Sequence, residues 1–325
     1  MATENVSTLP RRPLLINRQH REVAKLRAEL AAGLLAPAAH IAPKFLYDSL
    51  GSRLFEAITE LDEYYPTRTE AAIFQAHAGT IASAIGPGCT LVDLGAGNCA
   101  KASSLFPSLQ PARYVAVDIS VDFLASALDY LQFRHPAMDI TGVGSDFSSA
   151  LELPDELGDG PRVLFYPGSS IGNFTPDEAL VFLQQARLAS QGGGLLIGID
   201  LVKPQAILDA AYDDALGVTA AFNLNLLNAV NRQLGANFSV ADFRHIGFFN
   251  AEQSRIEMHL EARHATTVCW PGAERRFMSG ERIHTENSYK YTVDRATALL
   301  SAAGFRQTRC WTDPQGWFAL FWAIA

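Results

Sequence analysis

Glu286 and Ser288 stand two residues apart in the stretch IHTENSYKYT, residues 283–292. On a β-strand that spacing puts both side chains on one face. A carboxylate can accept one N–H, and a neighbouring hydroxyl can donate to or accept from a second nitrogen, so the pair could hold a polar ring. Strict alternation sends His284, Glu286, Ser288 and Lys290 one way and Ile283, Thr285, Asn287, Tyr289 and Tyr291 the other. The plainer reading is an edge strand with its charged face in water, where most charged side chains lie.

A second group of residues points to a nucleoside. Gly95 and Gly97 fall at a strand-to-helix turn in VDLGAGNCAK. Glycine there lets the backbone turn sharply and lets a ligand approach the amides without a Cβ in the way. Asp118 ends the next apolar run, YVAVD, where an acid reaches the hydroxyls of a bound ribose. Asp146 ends the third, in GSDF, and could face an adenine amino group. A lone GxG leaves three readings open: S-adenosylmethionine, a dinucleotide, or a turn with no ligand. Ala100 replaces the third glycine of the dinucleotide pattern, and Asp93 directly before the turn favours S-adenosylmethionine. Lys101 sits in the first turn of the following helix, where a positive charge is mildly unfavourable. That misplacement suggests a role in neutralising an anionic ligand group.

These residues need a scaffold, and the pattern supplies one. A polar tail is followed by a helix over REVAKLRAELAAGLLA, and Phe45, Leu46, Leu50, Leu54, Phe55 and Ile58 recur at helical spacing before Pro66 interrupts them. Thr67 or Thr69 could cap the next helix. Apolar runs then alternate with helical segments: CTLVDLGAG, RYVAVDIS, MDITGVGSDF, RVLFYPGSSIGNF and GGGLLIGIDLV. Such alternation indicates a largely parallel sheet covered on both faces. After Pro204 the pattern changes to one long helical stretch and then to two long alternating strands over FRHIGFFNAEQSRIEMHLEARHATTVCW. The chain thus divides into a nucleotide-binding domain over 70–202, completed by 289–325, and a second lobe from 1–69 and 203–288.

Composition narrows the partners. The 325 residues are 48% hydrophobic and 18% charged, enough to fill a core. A net charge of −8 without a basic cluster argues against nucleic acid. Cys89, Cys99, Cys269 and Cys310 lie far apart with no CxxC, so neither a metal site nor a disulfide framework is expected. No run approaches the roughly 20 apolar residues of a membrane span, and the start of the chain lacks a secretory signal. The expectation is a cytoplasmic monomer without metal.

Six segments together carry a family resemblance: FLYDSLGSRLFEAITELDEYYPTR, VDLGAGNCAK, FYPGSSIGNF, AYDDALGVTAAFNLN, IEMHL and TENSYKY. In this order, from about residue 43 to the end, the chain resembles the L-histidine Nα-methyltransferases. These use S-adenosylmethionine to trimethylate histidine to hercynine, the first step of ergothioneine biosynthesis. The resemblance implies an α/β, class I methyltransferase-like, doubly wound Rossmann-like sheet with a second α+β substrate-binding lobe. It implies that Gly95, Gly97, Lys101, Asp118, Asp146 and Phe147 bind the cofactor. Tyr47 and Asn173 would sit near the substrate amine and carboxylate and take the catalytic role. Tyr212 would bind the carboxylate. Phe55, Tyr64, Met258, Glu286 and Ser288 would line the side-chain pocket, with the last two on the imidazole. Asp213 and Asp214 read as a solvated or capping pair. Two alternatives stay open: a methyltransferase of another amino acid such as tryptophan, and a non-catalytic S-adenosylmethionine-binding module.

Overall fold

The computed structural model describes residues 11–18, 23–148 and 150–325. In chain order its elements are β1 (Leu14–Asn17), α1 (Val23–Leu35), α2 (Ser49–Thr59), α3 (Tyr65–Ile85), β2 (Thr90–Leu94), α4 (Ala100–Leu109), β3 (Arg113–Asp118), α5 (Val121–Arg134), β4 (Asp139–Gly144), β5 (Arg162–Tyr166), α6 (Pro176–Ala189), β6 (Gly194–Asp200), α7 (Gln205–Tyr212), α8 (Val218–Leu234), β7 (Phe243–Asn250), β8 (Arg255–Ala262), β9 (Thr266–Trp270), β10 (Ala273–Phe277), β11 (Arg282–Tyr289), α9 (Val293–Ala302), β12 (Gln307–Thr312) and β13 (Phe318–Ile324).

The strands order as β1-β4-β3-β2-β5-β6-β13-β12 in one sheet. Strands β1 to β6 run parallel, and β13 inserts antiparallel between β6 and β12. This is the doubly wound α/β architecture expected from the alternation. Both faces are covered: Val92 and Leu94 of β2 pack into one apolar cluster and Leu91 into another. Because β2 to β5 are parallel, their carboxyl ends lie on one edge, where ligands bind in open α/β sheets. The segment read as a polar tail contributes the short edge strand β1, paired with β4. Four residues are too few for alternation to announce a strand.

A third apolar cluster joins α1, α2, α7 and α8 to a three-stranded sheet ordered β11-β8-β7. Asp48 caps α2 by accepting from the Gly51 amide at 2.7 Å and also binds Asn225 Nδ2 of α8 at 2.9 Å. A cap of this kind contributes about 1 kcal/mol, and here it also ties two helices together. Several expectations need correction. Leu50, placed on the apolar stripe, is 52% exposed. Pro66 does not break a helix but occupies the first turn of α3, and the N-cap is Tyr64 rather than Thr67 or Thr69. Proline fits there because the first turn's N–H groups have no intrahelical partner. The long helical stretch after Pro204 is two helices, and Asp214 caps the second by accepting from Val218 and Thr219 amides at 2.9 and 2.7 Å. The two long alternating strands are three, since β9 leaves the sheet to form a hairpin with β10.

The most consequential correction lies in β11. His284 pairs with His259 and Glu286 with Met258, so Thr285 is an extra residue without a partner on β8. Such a bulge shifts the phase of alternation. Ile283 therefore shares the buried face with Glu286 and Ser288, while His284 joins Asn287 on the other, its Nε2 lying 2.9 Å from Asn287 Oδ1.

Candidate active site

Between the carboxyl edge of the large sheet and the third cluster lies a cleft with a cavity volume of about 50 Å³. Tyr47, Phe55, Tyr64, Asn173, Tyr212, Met258, Glu286 and Ser288 all line it. The structure thus brings together every residue expected around the substrate, from five separate stretches of chain.

Each arrives by a local device. Asn173 ends a 3-10 turn, Ser170–Asn173, that follows β5. The turn can rest on β11 because residue 172 is glycine: a Cβ there would stand 2.9 Å from the Tyr289 carbonyl oxygen. That contact brings Asn173 Nδ2 within 3.2 Å of Glu286 Oε1. A carboxylate only accepts, so the amide must turn its NH₂ to Glu286, leaving its carbonyl oxygen free to accept elsewhere. Glu286 is 7% exposed. Burial pushes its carboxyl up to about 7, opposed by the nearby Lys290 ammonium and the Asn173 bond.

Tyr47 stands edge-on to Phe55 and Phe222, with ring centroids 5.6 and 5.5 Å away. Burial, with a smaller push from Glu286, raises its phenol well above the usual range, so it stays protonated. Its carbonyl oxygen accepts from Ser120 Oγ at 3.1 Å, fastening the loop before α2 to the end of β3. Tyr64 stands edge-on to Tyr212 at 6.2 Å. Tyr212, expected to reach a carboxylate, has its hydroxyl engaged otherwise: it donates to Ser288 Oγ at 2.9 Å and accepts from Lys290 Nζ at 3.2 Å.

On the sheet edge, Gly95 and Gly97 adopt φ of 75° and 54°, the left-handed region that glycine tolerates. A Cβ on Gly97 would meet nothing within 4 Å, so the turn is an open cradle. Asp118 accepts from the Gly97 amide at 2.9 Å and the Ser120 amide at 2.8 Å. Burial raises its carboxyl pKa against those two bonds. Asp146 is likewise pushed up by burial, but Ser148 and the Lys44 ammonium, 3.3 Å away, outweigh this and leave it below its usual value. Phe147 packs edge-on to Tyr166 at 6.0 Å and lies beside Gly95. Lys101 Nζ pairs with Glu70 Oε2 at 2.7 Å, and Glu70 Oε1 accepts from the Gly168 amide at 2.8 Å. Asp93, which favoured S-adenosylmethionine by its position, is buried against the Tyr114 hydroxyl at 2.8 Å. These groups fit S-adenosylmethionine: an uncrowded glycine turn, an acid at the ribose position, an aromatic ring beside the turn, and a lysine near the strand ends.

Sequence reasoning missed Glu70, Phe222, Asp200 and Lys290. Phe222 lies on an apolar helix face that reads as ordinary core. Glu70 and Asp200 show their purpose only once distant strands meet. Lys290 was legible in principle, being two residues beyond Ser288 on the same face. Among the described residues no group of His, Cys, Asp and Glu could hold a metal ion, and no helix is long and apolar enough to cross a membrane.

Residues 26–325 match the family model described as histidine-specific methyltransferase, SAM-dependent. A histidine N-alpha-methyltransferase of Mycolicibacterium smegmatis is 41% identical over 306 residues, covering 92% of this chain and 94% of that protein. Its counterpart of the same name in Mycobacterium tuberculosis is 39% identical, covering 91% and 93%. Ergothioneine biosynthesis protein 1 of Neurospora crassa is 32% identical, covering 82% of this chain and 31% of that longer protein.

Proposed function

The chain belongs to the histidine-specific, S-adenosylmethionine-dependent methyltransferases, and from that premise we propose that it trimethylates the α-amino nitrogen of L-histidine to hercynine, opening ergothioneine biosynthesis. The observation that carries this reading is the pairing of two polar stations in one cavity: Glu286 with Ser288, and Tyr47 with Asn173.

Bound at the glycine turn, S-adenosylmethionine supplies an electrophilic methyl group on a sulfonium. The protein's task is to hold the amine in line with it, with reacting atoms roughly 3–3.5 Å apart. A free α-amino group titrates near 8, so a neutral minority exists at pH 7 without a strong base. Tyr47 and Asn173 present oxygens that accept the amine's N–H bonds and turn its lone pair outward, while adding no full negative charge that would keep it protonated. Two acceptors leave the nitrogen free to turn between successive transfers. Glu286 and Ser288 grip the ring, and Phe55 and Met258 supply apolar walls. The organisation proposed with this reading is a cofactor lobe over 70–202 with 289–325, edged by β1, and a substrate lobe from the following helices up to residue 69 and from 203–288; residues of both line the cavity. The four free cysteines fit a reducing compartment such as the cytoplasm.

The test is an amino-acid panel incubated with cofactor and read by mass spectrometry, alongside Glu286→Ala. Histidine is expected to gain up to three methyl groups and tryptophan and tyrosine none. The variant should lower kcat/KM for histidine about 100-fold, as expected when a bond to a polar ring is lost, with S-adenosylhomocysteine affinity unchanged. Loss of cofactor affinity with histidine affinity intact would remove Glu286 from the ring site.

A further inference from the structure

Lys290 carries a full positive charge into the interior, its side chain 0% exposed. Its Nζ lies 2.8 Å from Asp200 Oδ2, 2.7 Å from Ser288 Oγ and 3.2 Å from the Tyr212 hydroxyl. An ammonium has three protons and no lone pair. Each of these contacts therefore occupies an oxygen lone pair and can never take up a proton. Tyr212, whose oxygen accepts from Lys290, donates its own proton to Ser288 Oγ at 2.9 Å. Ser288 Oγ then accepts twice, from Lys290 and from Tyr212. A hydroxyl has two lone pairs, so both are filled, and its one proton remains for the cavity that Ser288 lines.

We infer that Lys290 is a positioning residue that makes Ser288 a donor toward the ligand and thereby selects the neutral form of the imidazole. The inference rests on histidine being the substrate. Ser288 offers a proton and Glu286 offers a lone pair. A neutral imidazole has one N–H for Glu286 and one bare nitrogen for Ser288. An imidazolium carries N–H on both nitrogens and meets a proton at Ser288. A ring with carbon in place of the second nitrogen leaves the Ser288 proton without an acceptor in a buried site.

The cation is itself held in place. Asp200, at the end of β6, also binds Lys203 Nζ at 2.5 Å and the Tyr65 hydroxyl at 2.6 Å. The titratable groups facing Lys290 are thus Asp200 and Lys203 from the β6 end, Tyr65 and Tyr64 from the start of α3, Tyr212 from α7, and Glu286 on its own strand. Asp200 anchors the ammonium from below, so its remaining N–H bonds are aimed at the two hydroxyls.

The direct test uses the wild-type protein with S-adenosylhomocysteine and ring-¹⁵N-labelled histidine. The nitrogen shifts are expected to show one protonated and one bare ring nitrogen at pH 7. Two protonated nitrogens in the complex would overturn the inference while leaving the histidine reading intact, whereas no histidine binding, together with no methylated histidine, would overturn both. The second arm compares histidine with 3-(3-pyrrolyl)alanine, which keeps one N–H but has carbon at the second position. Wild type should prefer histidine about 100-fold in kcat/KM, and Lys290→Met, which keeps length but removes charge and donors, should cut that preference to roughly 10-fold by freeing Ser288 to turn its proton away. A folded Lys290→Met protein, confirmed by thermal shift with S-adenosylhomocysteine, that loses activity on both substrates alike would make Lys290 a structural prop only. If that variant does not fold, the nitrogen shifts decide alone.

Discussion

Two carboxylates face the same buried region and are treated in opposite ways. Asp200 forms its floor, is 1% exposed, and sits between the ammoniums of Lys203 and Lys290 with the Tyr65 hydroxyl on the same oxygen as Lys290. Burial pushes its carboxyl up, but the two lysines outweigh burial and hold it below its usual value. Glu286 forms the wall, is 7% exposed, and has one amide for a partner. Burial prevails there and pushes it up to about 7. Depth alone does not decide the charge of a buried acid; the fixed partners decide it. The floor's acid has its charge matched within the protein. The wall's acid has room for an N–H that the protein itself does not supply, which suits a group meant for a ligand.

The largest expected effect comes from breaking the floor. Asp200→Ala leaves two buried ammoniums without their counter-charge, and removing one partner of a buried pair costs about 3–5 kcal/mol. Lys203, already pushed down to about 8 by burial, should lose its proton in the variant and keep the loss near the lower figure. Urea unfolding at pH 7 measures it; a change below about 1 kcal/mol would mean that the floor is not a matched charge cluster.

The wall should respond with the opposite sign. The folded-state pKa of Glu286 lies above its value in an unfolded chain. The stability it contributes is therefore present when it is protonated, below about pH 4, and is lost as pH rises through about 7. Glu286→Gln keeps the shape and removes the charge. The ligand-free variant is expected to be more stable than wild type by about 3 kcal/mol at pH 8 and by less than about 1 kcal/mol at pH 5, taking about 1.36 kcal/mol per pKa unit for a rise from 4.5 to about 7. Equal stabilities at both pH values would show that Glu286 is ionised without strain and would erase the contrast with Asp200.

The smallest probe touches the far side of the cavity. Tyr47→Phe removes one hydroxyl from a site that Asn173 also serves. Methyl transfer to histidine should slow about 10-fold, or about 1.4 kcal/mol, with histidine KM little changed. Single-turnover rates read this directly, and an unchanged rate would take Tyr47 out of the amine-orienting pair.

The contrast also explains what the amino-acid order could reveal. Gly95, Gly97, Asp118 and Asp146 were legible because a parallel sheet sends successive strand ends to one edge, so position along the chain maps onto position in space. The pocket residues were legible as a set only through the six-segment resemblance, since they come from stretches as distant as Tyr47 and Ser288. Period-two counting put Glu286 and Ser288 together correctly and put His284 with them wrongly, because a bulge leaves no signature in apolar alternation. The contact of Lys290 with Ser288 follows from their shared face, but its ion pair with Asp200, 90 positions earlier by number, shows only once the sheet brings the two together.

Thr285 sits at the bulge of β11. Its hydroxyl binds the Met258 carbonyl oxygen at 3.0 Å, and its side chain is fully buried, so it adds a unit of chain length rather than a wall to the cavity. Which side chains look inward is set by the pairing with β8, where Glu286 stands opposite Met258 and Ser288 opposite Ile256. Excising residue 285 would leave Glu286 opposite Met258 and Ser288 opposite Ile256 on an unbulged ladder, still facing inward, so the acid and the hydroxyl are expected to keep their places while the bond from the Thr285 hydroxyl to the Met258 carbonyl oxygen is lost.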